Sequence, residues 1–339
     1  MKALLLKEPR CFEMIDMEMP NDKDKAIIKI KAIGICGTEL SSFNGTFPMG
    51  IYPRVLGHEV VGEIIRIAEN TKGLKPGDRV VLEPYRYCGD CYPCRIGRTN
   101  CCENMKCIGV HENGAGMEYF AHEVKLLHKI PDDLEWERAV FADPLTNALQ
   151  GITRAKVKAG EKVVITGAGP IGVMAAQYVN SMGATAILIS SMEKRMAIAE
   201  SVGIRFIINH KTTDPVEEVR EITDGHMAQV VIECSGRPEA IRKTLDYASY
   251  AGRIALIGYS REEVPLPTHI ITRKELDVLG SRNCLRLQPA SLDAIRTGKV
   301  KVEPLISNLI SFEELPDYYE RISSNPNDYM KVIAMMNGG

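Results

Sequence analysis

From Val163 to Met192 no side chain carries a charge, a run whose length alone would cross a bilayer. Gly167, Gly169, Pro170, Gly172 and Gly183 interrupt it, and Lys162 and Glu193 bound it, so it reads as buried structure of a water-soluble fold. The apolar segment VVIT, a glycine turn, the helix-like IGVMAAQYVNSM, then GA and TAILIS make a strand–helix–strand unit. Its strands are apolar throughout, as expected of a parallel sheet covered on both faces. The alternation continues with a helix from Glu193 to Val202, a strand RFIIN, a helix around Val216 to Ile222, the strand AQVVIEC, a helix from Pro238 to Ala248 and the strand GRIALIG. Strands alternating with helices over 160–280 predict a doubly wound α/β domain.

Before Pro131 the texture changes. KAIIKIKAIGI, HEVVGEIIRIA and DRVVLEPY are β-rich and separated by turns such as Lys72-Gly73 and Pro76-Gly77-Asp78, which predicts an antiparallel β lobe. After Leu285 the tail is mixed and is expected to pack back on that lobe. A chain of 339 residues accommodates about two domains, and the expected boundaries are 1–150, 151–284 and a returning segment 285–339. A net charge of -2 provides no field to hold nucleic acid or anionic lipid, so neither is expected as a partner. The N-terminus, MKALLLKEPR, has four apolar residues before Lys7, too few for a secretory signal; a cytoplasmic protein is expected.

Residues 167–172 read GAGPIG, a G-x-G-x-x-G that follows a strand and opens a helix, the context of a dinucleotide-binding turn. Gly167 permits the tight turn, Gly169 lets backbone approach a pyrophosphate, and Gly172 lets the helix lie near the sheet. Pro170 and Ile171 start a helix whose N-terminus attracts phosphate. The alternative is a glycine turn needed only for packing. About 20 residues on, where an acid would bind the ribose hydroxyl of NAD, the strand ends ILISSMEKR and places Ser191. Without that carboxylate a 2′-phosphate is not repelled, and Ser191 with Lys194 or Arg195 can accept it, which favours NADP over NAD. Glu193 as a substitute acid, with Arg195 stacking on adenine, is the competing reading.

Ten cysteines without an export signal point to metal or thiol chemistry. Cys88, Cys91, Cys94 and Cys102 form a C-x2-C-x2-C-x7-C array, able to wrap one tetrahedral zinc in four thiolates. A closed shell of sulfur leaves no place for substrate, so this metal is expected to be structural, with Cys101 and Cys107 left as free thiols. A nucleic-acid-binding ribbon is disfavoured because the insert has few basic residues and no aromatic stacking series. A second set is dispersed: Cys36 in GICGTE, His58 and Glu59 in GHEVVG, Asp143 in ADPLTN. A thiolate, an imidazole and a carboxylate have the composition of a catalytic zinc with an open fourth position. Separately each has a plain explanation: a core thiol, a hydrogen-bonded histidine, an aspartate at a cap or turn.

GICGTE, GHE-x-x-G, the four-cysteine lobe and GAGPIG occur in one order, and over nearly the whole chain the sequence resembles the zinc-containing medium-chain dehydrogenase/reductases, the family of alcohol, sorbitol and threonine dehydrogenases. The resemblance implies a GroES-like catalytic domain built from both termini, a central Rossmann domain and a cleft between them. It implies two zinc ions per chain. One is catalytic, on Cys36, His58 and the residue at 143, with Glu59 alternating; the other is structural, on the four clustered cysteines. GRTNCCE, IGVHENG and GSRN look most like members that oxidise sugar acids and polyols, such as L-galactonate or L-gulonate 5-dehydrogenases. Those members carry Glu-Pro where this chain has Asp143-Pro144, and the D-P-x-x-N pattern ending at Asn147 is similar to threonine dehydrogenases. Many relatives have histidine five residues after the first cysteine, where this chain has Ser41.

The expected reaction is reversible oxidation of a secondary alcohol to a ketone. A Lewis-acid metal lowers the pKa of a bound hydroxyl from roughly 16 towards 7, Thr38 hydrogen-bonds the reacting oxygen, and hydride passes to the nicotinamide. Arg282 is the candidate partner for a substrate carboxylate, with a structural arginine at a strand end as the alternative. His111 and Glu118 either border the cleft or support the metal lobe. A threonine dehydrogenase, a catalytically silent dinucleotide-binding relative and a zinc hydrolase are the competing functions. A homodimer or homotetramer is expected.

Overall fold

The computed structural model describes residues 1–48 and 50–336. The chain divides into two compact units. The first comprises Met1–Asp143, Gln288–Arg296 and Ile306–Gly339; the second comprises Pro144–Leu287 and Thr297–Leu305. The tail is therefore shared, its short piece Thr297–Leu305 belonging with the second unit.

In the first unit the main sheet runs Leu127–Lys129, Arg79–Leu82, Glu59–Arg66, Ala26–Gly34, Lys331–Met335, Ile306–Ser311, and Tyr119–His122 also pairs with Ala26–Gly34. Ala26–Gly34 is central because most of its residues are buried, so both of its edges are shielded by neighbours. Its end positions the later chemistry: Gly34 pairs with Glu59 on one side and with Ile333 on the other. A three-stranded sheet, Cys11–Asp16, Lys2–Glu8 and Arg54–Val55, completes the β-rich core, where Leu6, Ile28, Val60, Ile64 and Val332 are almost completely buried.

The second unit holds a six-stranded sheet in the order Phe206–Asn209, Thr185–Ser190, Lys162–Thr166, Ala228–Glu233, Ala248–Leu256, Asp277–Gly280. Every neighbouring pair is parallel. Val163, Val164 and Ile165 have no exposed surface, and burying each contributes roughly 1.5–3 kcal/mol. Helices Pro170–Ser181, Pro215–Ile222 and Pro238–Tyr247 each begin on a proline, which costs nothing at a first turn whose N–H groups have no intrahelical acceptor. The strand order reverses between Lys162–Thr166 and Ala228–Glu233, and such a switch point is where an open α/β sheet binds ligand, beyond the carboxyl ends of its strands. The fold is thus α/β, a GroES-like β-rich unit and a Rossmann-type unit with a doubly wound parallel sheet. Among the described residues no helix is long and apolar enough to cross a membrane; the uncharged run of the second unit is split into strand, helix Pro170–Ser181 and strand.

Candidate metal and dinucleotide sites

Cys36 precedes the short helix Gly37–Phe43, His58 lies in the turn before strand Glu59–Arg66, and Glu59 opens that strand. One donor atom from each of Cys36, His58 and Glu59 lies within 4.8 Å of the others. Packing explains the convergence. Gly57 takes a φ of +103°, and a Cβ there would lie 2.8 Å from the backbone nitrogen of Gly116. A Cβ on Gly34 would lie 2.5 Å from Glu59 Oε2, so only glycine leaves room for that carboxylate. The glycine-rich segment after His111 buttresses the same turn, because Gly114 and Gly116 donate to Val55 O and Leu56 O. His111 itself is engaged locally, its Nδ1 accepting from Cys107 N at 3.0 Å, and Glu118 accepts from Lys2 N. Both support the β-rich lobe.

Asp143 is not part of the three-residue cluster. It occupies the first turn of helix Ala142–Arg154, is 2% exposed, and accepts from Gln288 Nε2 at 3.3 Å. Burial pushes its pKa up to about 7; the positive field of His58 works against that rise, and Glu59 and Glu83 add to it. It therefore shares an electrostatic environment with the cluster.

Two charged residues not singled out in the sequence join this site. Glu39, 1% exposed, accepts from Cys36 N at 3.0 Å, Gly57 N at 2.8 Å and His58 N at 3.0 Å. His58 Nδ1 also lies 3.0 Å from Glu39 Oε1, though without a well-aligned hydrogen bond. Burial disfavours charge on His58, but Glu39 and Cys36 outweigh it and hold its pKa well above the ordinary value. Lys331, on strand Lys331–Met335, donates to Glu59 Oε2 and to Ile35 O at 3.1 Å. Glu39 was legible only as the third residue after Cys36 in GICGTE; nothing in the sequence pairs Lys331 with Glu59. Thr38 is half-buried, and the hydroxyl of Ser41 donates to Gly37 O at 3.0 Å.

The donor set fits zinc. Thiolate, imidazole and carboxylate are the ligands borderline metals take in open sites, and a ring nitrogen of His58 sits buried beside a carboxylate that can fix its tautomer. In the lobe at 85–107, the sulfur atoms of Cys88, Cys91, Cys94 and Cys102 all lie within 4.8 Å of one another. Two ligands about 2.3 Å from a tetrahedral centre stand about 3.8 Å apart; Cys91 and Cys102 sulfurs are 3.9 Å apart, and Cys102 and Cys88 sulfurs 3.5 Å apart. Those separations are far beyond a disulfide and match a shared ion. Cys101 and Cys107 stand outside the group.

In the second unit the turn at 167–172 has the expected form. Gly167 has φ +96°, and a Cβ on Gly172 would fall 1.9 Å from Gly167 O, so no side chain fits. A Cβ on Gly169 would meet only Arg195 Nη1, at 3.9 Å, which leaves this backbone open to a ligand. Pro170 and Ile171 begin helix Pro170–Ser181. Ser191, half-buried, follows strand Thr185–Ser190, and Arg195 lies in helix Glu193–Ser201. Glu233, completely buried, ties the neighbouring loop by accepting from Ser235 N at 2.7 Å and Thr166 Oγ1 at 3.2 Å. Arg282 is exposed, just past strand Asp277–Gly280.

Residues 22–132 match the alcohol dehydrogenase GroES-like domain, and residues 170–295 match the zinc-binding dehydrogenase domain. The chain is 31% identical to L-galactonate-5-dehydrogenase of Escherichia coli K12, over 98% of each chain. A zinc-binding dehydrogenase of Sinorhizobium meliloti 1021, solved with NADP, superposes with a TM-score of 0.91 at 31% identity over 98% of each chain. RspB of Escherichia coli CFT073, solved with NADH, gives a TM-score of 0.91 at 29% identity, again over 98% of each chain. The two domain matches fall in the same order as the β-rich and parallel-sheet units, and the chain belongs to the zinc-binding alcohol dehydrogenase family.

Proposed function

We propose that the protein is a zinc-dependent dehydrogenase that oxidises a secondary alcohol of a polyol or sugar acid to a ketone, with NADP or NAD as hydride acceptor. The observation that carries this reading is the convergence of Cys36, His58 and Glu59 from separate parts of the first unit. Cys36, His58 and Asp143 are assigned as protein ligands of the catalytic zinc, with Glu59 as the alternating carboxylate. Lys331 supports that order, because its ammonium already neutralises Glu59. When bound, zinc supplies a Lewis acid that acidifies the substrate hydroxyl. Glu39 fixes the turn that carries His58 and the backbone of Cys36. The hydroxyl of Thr38 hydrogen-bonds the reacting oxygen and relays its proton, giving up its own towards the nicotinamide ribose and solvent; the hydroxyl of Ser41 is engaged by Gly37 O. Cys88, Cys91, Cys94 and Cys102 hold a second zinc that staples their lobe.

In the dinucleotide unit, the open backbone at Gly169 and the N-terminus of the following helix receive the pyrophosphate. Ser191 and Arg195 favour a 2′-phosphate, and the similarity to a structure solved with NADP agrees, whereas RspB carries NADH. The similarity to L-galactonate-5-dehydrogenase supports a sugar-acid substrate, with Arg282 as the candidate for its carboxylate. A homodimer or homotetramer is proposed on the family resemblance.

The test is turnover of polyols, aldonates, uronates and threonine with each coenzyme. Activity on a polyol or sugar acid, abolished by Cys36→Ser with the fold retained, is expected. Ser191→Asp is expected to move the NADP/NAD ratio of kcat/KM towards NAD. Tight NADPH binding with no turnover across the panel would leave a silent relative; threonine as the sole substrate would replace the substrate class.

A further inference from the structure

Helix Gln288–Arg296 is distant in sequence from Asp143, yet three hydrogen bonds tie it to the segment that carries this aspartate. Ser291 Oγ donates to Ala142 O at 2.8 Å, Arg138 Nη2 donates to Ile295 O at 3.0 Å, and Gln288 Nε2 donates to Asp143 Oδ1 at 3.3 Å. Gln288 and Ser291 have no exposed surface. The other end of the glutamine amide, Oε1, is buried without a hydrogen-bond partner. Burying an acceptor in that way costs stability, and methionine would fill nearly the same space without the cost. An amide kept at such a place is explained by its N–H end, the only end that can face a carboxylate oxygen.

On the reading of Asp143 as a zinc ligand, we propose that Gln288 is a positioning residue that sets the direction in which the Asp143 carboxylate meets the metal. Aspartate carries its carboxylate on a single methylene, so it has little reach of its own. Its reach depends on where the backbone stands and how the carboxylate is turned. Ser291 holds the backbone at Ala142, and Gln288 holds one carboxylate oxygen. Outer hydrogen bonds of this kind orient metal ligands, and removing one typically lowers metal affinity about 10- to 100-fold.

The experiment compares wild type, Gln288→Met, Asp143→Ala and the double variant, each with the four-sulfur lobe already loaded with zinc. Zinc affinity of the second site is measured by competition with a chromophoric chelator, and its geometry by the d–d absorption of the cobalt-substituted protein. Gln288→Met is expected to bind zinc about 10- to 100-fold more weakly and to shift the cobalt spectrum. In the Asp143→Ala background the same substitution is expected to change neither, since the two residues act as one unit. Gln288→Leu, which removes the amide with a branched apolar side chain, is expected to give the same spectral shift and guards against a packing defect peculiar to methionine. If Asp143→Ala loosens zinc but Gln288→Met leaves affinity and spectrum unchanged, or if its loss persists without Asp143, the role of Gln288 is refuted and the site reading stands. If Asp143→Ala itself changes nothing, Asp143 is not a ligand and both fall.

Discussion

Buried charge at the candidate metal site is paired residue by residue, and the pairs have unequal consequences. Lys331 and Glu59 are 4% and 3% exposed at their side chains. Burial works against the lysine's charge, but Glu59 and Cys36 outweigh it and raise its pKa. Removing one partner of such a pair leaves an uncompensated buried charge, which costs about 3–5 kcal/mol, whereas removing both is far milder. Lys331→Met is therefore expected to lower the urea unfolding free energy of the metal-free protein by that amount, and Lys331→Met with Glu59→Gln to recover most of it. An additive double variant would show that the two side chains do not act as a pair. GHEVVG marked His58 and Glu59 as candidates in the sequence, but the lysine that balances Glu59 lies 272 residues away and carries no motif.

At the scale of elements, the strand–turn–helix from Lys162 to Ser181 is the part where pattern and coordinates agree most closely. An apolar strand, glycines at fixed offsets and a proline at the first helical position are local signals, each acting within a few residues. Gly172 shows the constraint most sharply, because its missing Cβ would lie 1.9 Å from Gly167 O. Gly172→Ala must push the helix off the turn, so NADPH affinity by fluorescence titration is expected to fall at least about 10-fold and thermal stability to drop, by roughly the 1–3 kcal/mol of an overpacked site. Unchanged NADPH affinity would place the dinucleotide elsewhere. The helix Ala142–Arg154 was less legible: Asp143-Pro144 reads as a cap or a turn, and the structure makes it a first helical turn, where proline is tolerated for want of a donor to lose. The lobe of four cysteines lay between these cases, since its spacing announced a metal shell while its two- to four-residue elements had no periodicity to read.

For the whole molecule, the carboxylate proposed above as a zinc ligand is also a proton site, because burial raises the pKa of Asp143. The folded protein holds a proton on Asp143 up to about pH 7, whereas an unfolded aspartate releases it near 4. Between those values the folded state binds more protons, so the metal-free protein is expected to lose stability as pH rises from about 4 to about 7, by at most about 1.4 kcal/mol per unit from this group. Asp143→Asn should flatten that slope, and zinc should abolish it by replacing the proton. Urea unfolding at several pH values with and without chelator measures both, and an identical slope in wild type and Asp143→Asn would refute the assignment. What neighbours in the chain can encode was legible before any coordinates: a parallel sheet, a glycine turn into a helix and a four-thiol cluster, each defined by spacing within one element or loop. Packing across the fold is what brings Cys36, His58 and Glu59 together, ties Asp143 to Gln288 and sets Glu39 against His58 and Lys331 against Glu59. Those contacts join residues whose separation along the chain has no period, so their meeting depends on how strands and helices pack.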